Sequence, residues 1–226
     1  MSEAKAKQAA SGSSAWSPFR YSAFTVLWTA TVVSNIGTWM HDVASGWLMT
    51  SLAPSPIMVA LVQAATTAPI FLFALPAGAL ADLVDRRRLL VVMAAFLCAV
   101  ASTLAVLTFL DRVDAWTLLA FTFLSGAGAA FVAPAWQAVV PQLVPRTELQ
   151  PAVALNSVGI NISRAIGPAL AGLIIASLGI AWPYVINAAS YLFVIGALLW
   201  WTPPARPKSD LPVERFRSAI RSGLRY

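Results

Sequence analysis

The chain has 226 residues, 59% of them hydrophobic and 11% charged, with a formal net charge of +6. Soluble domains carry about a quarter charged residues, so this composition excludes an ordinary water-soluble globule. The basic residues sit beside apolar stretches rather than on one basic face, which argues against nucleic acid as a partner.

Residues 1–18 are rich in Ala, Ser and Lys and lack an apolar centre. They read as a disordered cytoplasmic tail ahead of an uncleaved membrane anchor. Apolar stretches then run over Phe24–Leu48, Ile57–Ala81, Leu89–Leu110, Trp116–Val140, Ala152–Leu178 and Trp182–Trp201. Each is about 20 residues or more, the length at which a helix crosses a hydrocarbon core of about 30 Å. Turn or charge signals separate them: Pro54 and Pro56, Asp82 to Arg88, Asp111 to Asp114, Pro141 to Pro151, and Gly179. The reading is an all-α membrane protein with a bundle of six transmembrane helices over 19–202 and a basic amphipathic tail or linker over 203–226. In that tail, Arg215, Arg217, Arg221 and Arg225 alternate with Val213, Phe216, Ile220 and Leu224, a pattern suited to the cytoplasmic membrane surface.

Of the 15 Lys and Arg residues, 13 fall on one side of this alternation and only Arg112 on the other, with Arg164 inside a span. The positive-inside bias therefore predicts an inner-membrane, multi-pass protein with both termini cytoplasmic and an even number of helices. Trp16, Trp116, Trp136, Trp182, Trp200 and Trp201 lie near the expected interfaces and read as headgroup anchors.

Little catalytic chemistry is available. Lysine occurs only at positions 5, 7 and 208, outside every span, so there is neither a phosphate-binding G-x-x-x-x-G-K-[ST] loop nor a Schiff-base lysine. One histidine and one cysteine cannot build a His/Cys metal cluster. An intramembrane serine protease would pair His41 with a serine in a G-x-S-x-G or G-x-S-G element, and no such element accompanies it. The expectation is a protein that is not an enzyme and needs no cofactor.

The loop after the second span reads Gly78-Ala79-Leu80-Ala81-Asp82-Leu83-Val84-Asp85-Arg86-Arg87-Arg88. It resembles the major facilitator superfamily signature G-x-L-A-D-x-x-G-R-[RK]-[RK], with Asp85 in place of the second glycine. Ser125 to Ala130, Pro134-Ala135-Trp136-Gln137, Asn156, Asn161, Arg164, Gly167-Pro168 and Gly172 are similar to the fourth and fifth helices of the branch that holds secretion effectors and the enterobactin exporter. Thr122 stands where the superfamily often has an arginine, and Ser163 and Ala171 stand where glycines are usual. The resemblance covers about residues 18–226. It implies half of a major facilitator fold, a 3+3 inverted-repeat bundle that rocks against a second bundle about a midplane site. It also implies proton-driven antiport of a siderophore, drug or related small molecule. The partners expected are the lipid bilayer, a small-molecule substrate, and a second six-helix half or a homodimer partner. The alternative is a non-transporting scaffold or a truncated remnant needing a partner half.

On a helical wheel of the first span Asn35, Thr38, Trp39, Asp42 and Gly46 share a face, as do Asn156, Ser163, Arg164 and Gly167 in the fifth. Polar groups facing lipid are costly, so both faces are expected to line a cavity. The candidates for the substrate and proton pathway are Asn35, Trp39, Asp42, Asn156, Asn161 and Arg164, with Asp42 as the best carboxylate to pair with Arg164. Gly78, Asp82, Arg86, Arg87 and Arg88 are the candidates for a conformational-switch loop. Gly126, Gly128, Gly167, Pro168 and Gly172 are the candidates for close helix packing.

Overall fold

The computed structural model describes residues 14–203. The first part of the expected tail and the amphipathic segment from 204 on lie outside the described residues. Ser17 and Pro18, at the end of the stretch read as a tail, are buried in a short 3-10 turn, Ser17–Arg20. The Ser17 hydroxyl donates there to the Glu148 carboxylate, which ties the chain entry to the loop before the fifth long helix.

Six long helices follow: α1 Ser22–Leu52, α2 Pro56–Leu83, α3 Arg86–Phe109, α4 Ala115–Val139, α5 Leu149–Leu178 and α6 Trp182–Trp200. Their ends have local causes. Ala53 adopts an extended backbone before Pro54, and proline disfavours helix in the residue ahead of it, so α1 stops there. Proline occupies the first turn of α2 and of α6, where its missing N–H costs no helical bond. The carboxylates of Asp85 and Asp114 accept the Arg88 and Thr117 amides at 2.9 and 2.7 Å and so cap α3 and α4. Gly179, at φ 102°, ends α5 in a conformation that L side chains rarely adopt.

Helices α2 to α6 are long and apolar enough to cross a membrane by length and composition. Six spans were expected, and α1 falls outside that set. The reason lies in its middle, where Ser34, Asn35, Thr38, His41, Asp42 and Ser45 lower the hydropathy of a 31-residue helix. Ser34, His41 and Ser45 are buried, so the polarity points into the bundle.

The helices pack in a series: α2 on α4, α4 on α3, α3 on α6, α6 on α1, and α1 on α5. Apolar clusters close the two ends. Phe24, Leu89, Val139, Leu155 and Leu198 form one. Leu48, Met49, Leu104, Leu118 and Tyr184 form the other. The polar residues lie between them, while Phe71, Leu72, Val92, Leu173 and Phe193 are exposed on the outside. This inverts the pattern of a water-soluble bundle and suits a hydrocarbon solvent.

Candidate functional site

Thr31, Ser34, Asn35, Thr38, His41 and Asp42 recur at helical spacing along α1 and form one wall of a central cavity of about 400 Å³. The row covers 12 residues, or about 16 Å of helix from first to last. The other helices supply Thr66 from α2, Leu97 from α3, Thr122, Trp136 and Gln137 from α4, Asn156 from α5, and Asn187 and Tyr191 from α6. Among the described residues Asp42 is the one carboxylate on this lining, and no lysine or arginine reaches it.

Three of the expected pathway residues, Asn35, Asp42 and Asn156, meet on this cavity. The other three do not. Trp39 lies one step around α1 from the row, against Gly167 of α5. Asn161 is exposed, and its amide donates to the Ser157 carbonyl one turn back at 2.9 Å. Arg164 is exposed on α5 with its guanidinium carbon 5.2 Å from the Trp39 ring centre. Among the described residues no ion pair joins Arg164 to Asp42. The expected shared face of α5 divides for a steric reason: Gly159, Ser163, Gly167 and Ala171, four residues apart, are all buried. The first three lie directly against α1, with the Ser163 hydroxyl donating to the Val32 carbonyl at 3.2 Å. Small residues at this spacing let two helix backbones approach. Arg164, beside that stripe, is left outside the cavity.

Other side chains at the wall and behind it lie outside the expected pathway set. His41, 2% exposed, has Nδ1 3.3 Å from the Asn187 amide nitrogen and its ring edge-on to Tyr184, centroids 4.8 Å apart. Tyr184 and Tyr191 hydroxyls lie 3.4 Å from those of Ser45 and Thr38, respectively. The signal was an Asn187, Ser190, Tyr191 cluster inside an otherwise apolar span. Trp136, read as an interfacial anchor, instead lines the cavity and donates from Nε1 to Asn156 Oδ1 at 3.1 Å. Trp201 is likewise buried, at 5% exposure, whereas Trp16, Trp116 and Trp200 stay more than half exposed.

The signature loop joins three helices. Arg86 donates from Nη1 to the Ala138 carbonyl at 3.1 Å and lies 3.9 Å from the Asp82 carboxylate. Arg87 donates from Nε to the Leu198 carbonyl at 2.6 Å and from Nη2 to that of Leu199 at 2.5 Å. Helix C-termini leave carbonyls unpaired and carry partial negative charge, so two guanidiniums tie the ends of α4 and α6 to the start of α3. Asp85, where the signature has glycine, has φ −64°, so this position needs no glycine. At Gly78 an added Cβ would meet nothing within 4 Å among the described residues, and the same holds at Gly172, where close packing was expected. At Gly126 an added Cβ would come 2.5 Å from the Thr66 carbonyl oxygen, and at Gly128 2.6 Å from Leu97 Cδ2. Those two glycines set the α4 contacts with α2 and α3. Pro168 lies within the uninterrupted α5.

Among the described residues the chain is an all-helical bundle with an apolar exterior around an internal cavity, an arrangement that suits a lipid solvent rather than water. The chain belongs to the transmembrane secretion effector family of the major facilitator superfamily, whose family model matches residues 13–226. It is 27% identical over 199 residues to the uncharacterized MFS-type transporter YfiS of Bacillus subtilis, covering 86% of this chain and 46% of that protein. It is 29% identical over 161 residues to a staphyloferrin A transporter of Staphylococcus aureus, covering 71% and 41%. With an enterobactin exporter of Shigella boydii it shares 25% identity over 205 residues, covering 90% and 49%. The chain thus spans about half the length of the curated relatives it matches.

Proposed function

We propose that this chain forms one six-helix half of a proton-coupled exporter of a small molecule, such as a siderophore or a drug, in the cell (inner) membrane with both termini cytoplasmic. The carrying observation is the central cavity, where Asn35, Asp42 and Asn156 converge inside a bundle with an apolar exterior. Helix α1 is the sixth span: 31 residues give about 46 Å, and its polar residues turn inward. The packing series supports a 3+3 repeat. Exchanging α1, α2 and α3 for α4, α5 and α6 maps α2 on α4 to α5 on α1 and α4 on α3 to α1 on α6, and returns the α3–α6 pair to itself. Three helices per repeat invert its direction through the membrane.

A second six-helix bundle, or a second copy of the chain, completes the pathway. Helices α2 and α5 end the packing series and expose Ile70, Leu75, Ile162 and Ile166, together with Gly78 and Gly172, which are open to a further helix. Trp39, Asn161 and Arg164 act at that junction, and the Gly78 to Arg88 loop acts as the switch between conformations. Efflux and complex size test the reading together. The protein in mild detergent is expected to carry a second bundle, and a deletion strain is expected to retain substrate that the wild type exports. A monomer without a partner, combined with normal export by the deletion strain, would support a non-transporting scaffold or remnant instead.

A further inference from the structure

The charge of the cavity wall bears on what it binds. Among the described residues Asp42 is the one acidic residue on the lining, and no arginine or lysine stands opposite. No hydrogen bond or ion pair within the described residues engages its carboxylate. The rest of the polar wall is the His41 imidazole, buried against Asn187 and Tyr184, and neutral groups: the amides of Asn35, Gln137 and Asn156, threonine hydroxyls, and the rings of Trp136 and Tyr191. Arg164, the membrane-embedded cation, lies outside the lining with its guanidinium over Trp39.

We propose that this cavity binds a singly cationic amphiphile, an ammonium or comparable cation carrying apolar groups, with Asp42 as its counter-ion, rather than a carboxylate-rich molecule. A polyanion entering here would lose its hydration beside a like charge and meet no compensating cation. A cation instead gains a charge-assisted contact, and the ring faces of Trp136 and Tyr191 are attractive to positive charge. The volume, about 400 Å³, suits a drug-sized molecule, for which pockets run about 300–1,000 Å³. The Asn35 and Gln137 amides on the lining, which make no hydrogen bond among the described residues, suit neutral acceptors on the same ligand. The inference names the substrate class for the export reading above and rests on it for biological meaning, but binding is measured without transport.

The test uses the full chain in nanodiscs of zwitterionic phosphatidylcholine, so that lipid charge does not concentrate the probe. Tetraphenylphosphonium is the permanent cation and tetraphenylborate its size-matched anion. The cation is expected to bind saturably, Asp42→Glu to retain binding, and Asp42→Asn to weaken it by about 30-fold or more, the range for truncating one partner of a buried charge pair. The borate is expected to partition equally into both variants. In case Asp42→Asn does not fold, a hydrophobic carbodiimide labels the carboxylate of the wild-type chain, and tetraphenylphosphonium is expected to protect Asp42 while the borate does not. Equal cation binding by wild type and Asp42→Asn, absence of protection, or saturable borate binding lost in Arg164→Gln overturns the proposal. Cation binding without any cellular efflux would instead remove the export reading and leave this one standing.

Discussion

Arg164 and Trp39 face each other across the α1–α5 contact, the guanidinium carbon 5.2 Å from the ring centre. The two charges at the middle of the bundle are therefore handled separately: Arg164 rests on an aromatic face, while Asp42 borders the cavity. The double variant Asp42→Arg with Arg164→Asp is expected to unfold at a lower temperature than either single variant, since it places an arginine on the cavity wall and a carboxylate against Trp39. A melting temperature restored toward wild type would mean the two groups pair after all. Arg164→Lys is expected to keep most of the stacking, and Arg164→Leu to lose efflux when assayed with the second half while still inserting into the membrane.

Glycine substitutions separate close packing from open surface. Gly126→Ala puts a methyl 2.5 Å from a backbone oxygen that belongs to a helix and cannot step aside cheaply. Overpacking of this kind costs about 1–3 kcal/mol. Gly172→Ala meets nothing within 4 Å and is expected to be silent in the isolated chain. Unfolding in mixed detergent micelles measures both, and equal effects would contradict the close approach of α4 to α2 at Gly126.

Asn187, itself on the cavity lining, holds His41 in place. Asn187→Leu removes the amide that meets His41 Nδ1 and leaves the buried imidazole without a partner in a bundle where Nε2 already lacks one. Stranding a buried polar group costs about 1–3 kcal/mol. His41→Leu in the same background is expected to recover part of that loss, because replacing both partners by apolar groups is tolerated better than removing one. A double-mutant cycle with no coupling energy would show the contact to be incidental.

Topology is open to direct labelling. With Cys98→Ser in place, a cysteine at Ser55, between α1 and α2, is expected to react with an impermeant reagent added outside the cell. One at Thr147, between α4 and α5, is expected to react only after the membrane is opened. The reverse pattern would overturn the assignment of both termini to the cytoplasm, which rests on the 13 basic residues of one side.

Much of this bundle was legible because bilayer physics writes it plainly. Apolar stretches longer than a membrane is thick, separated by Pro54, the Asp82 to Arg88 cluster and Gly179, gave all six helices to within a few residues. Helical spacing also placed Asn35, Asp42 and Asn156 on inward faces. What escaped was decided between helices. A wheel drawn for α5 alone puts Ser163, Arg164 and Gly167 on one side, yet the stripe Gly159, Ser163, Gly167 and Ala171 is consumed by contact with α1. Residue type misled as well: Trp136 near a span end reads as an interfacial anchor, but its N–H reaches Asn156 across the cavity. His41 and Asn187 illustrate the same limit, since neither identifies its partner without the α1–α6 packing.

The arginines of the signature loop differ in what they hold, and that difference is testable. Arg87 makes two contacts to the last carbonyls of α6, whereas Arg86 makes one to α4 plus a long ion pair to Asp82, whose carboxylate is 81% exposed. An exposed ion pair contributes little, while a hydrogen bond from a charged donor contributes about 1.5–3 kcal/mol. Arg87→Ala is therefore expected to destabilise the bundle more than Asp82→Ala, and to raise amide hydrogen exchange at the end of α6 near Leu198. Arg87→Lys is expected to recover only part of the effect, because an ammonium is a single point charge and a guanidinium spans two carbonyls at once. If Asp82→Ala proved the more damaging substitution, with α6 exchange unchanged in Arg87→Ala, the loop would act through its acidic residue and the α6 contacts would be secondary.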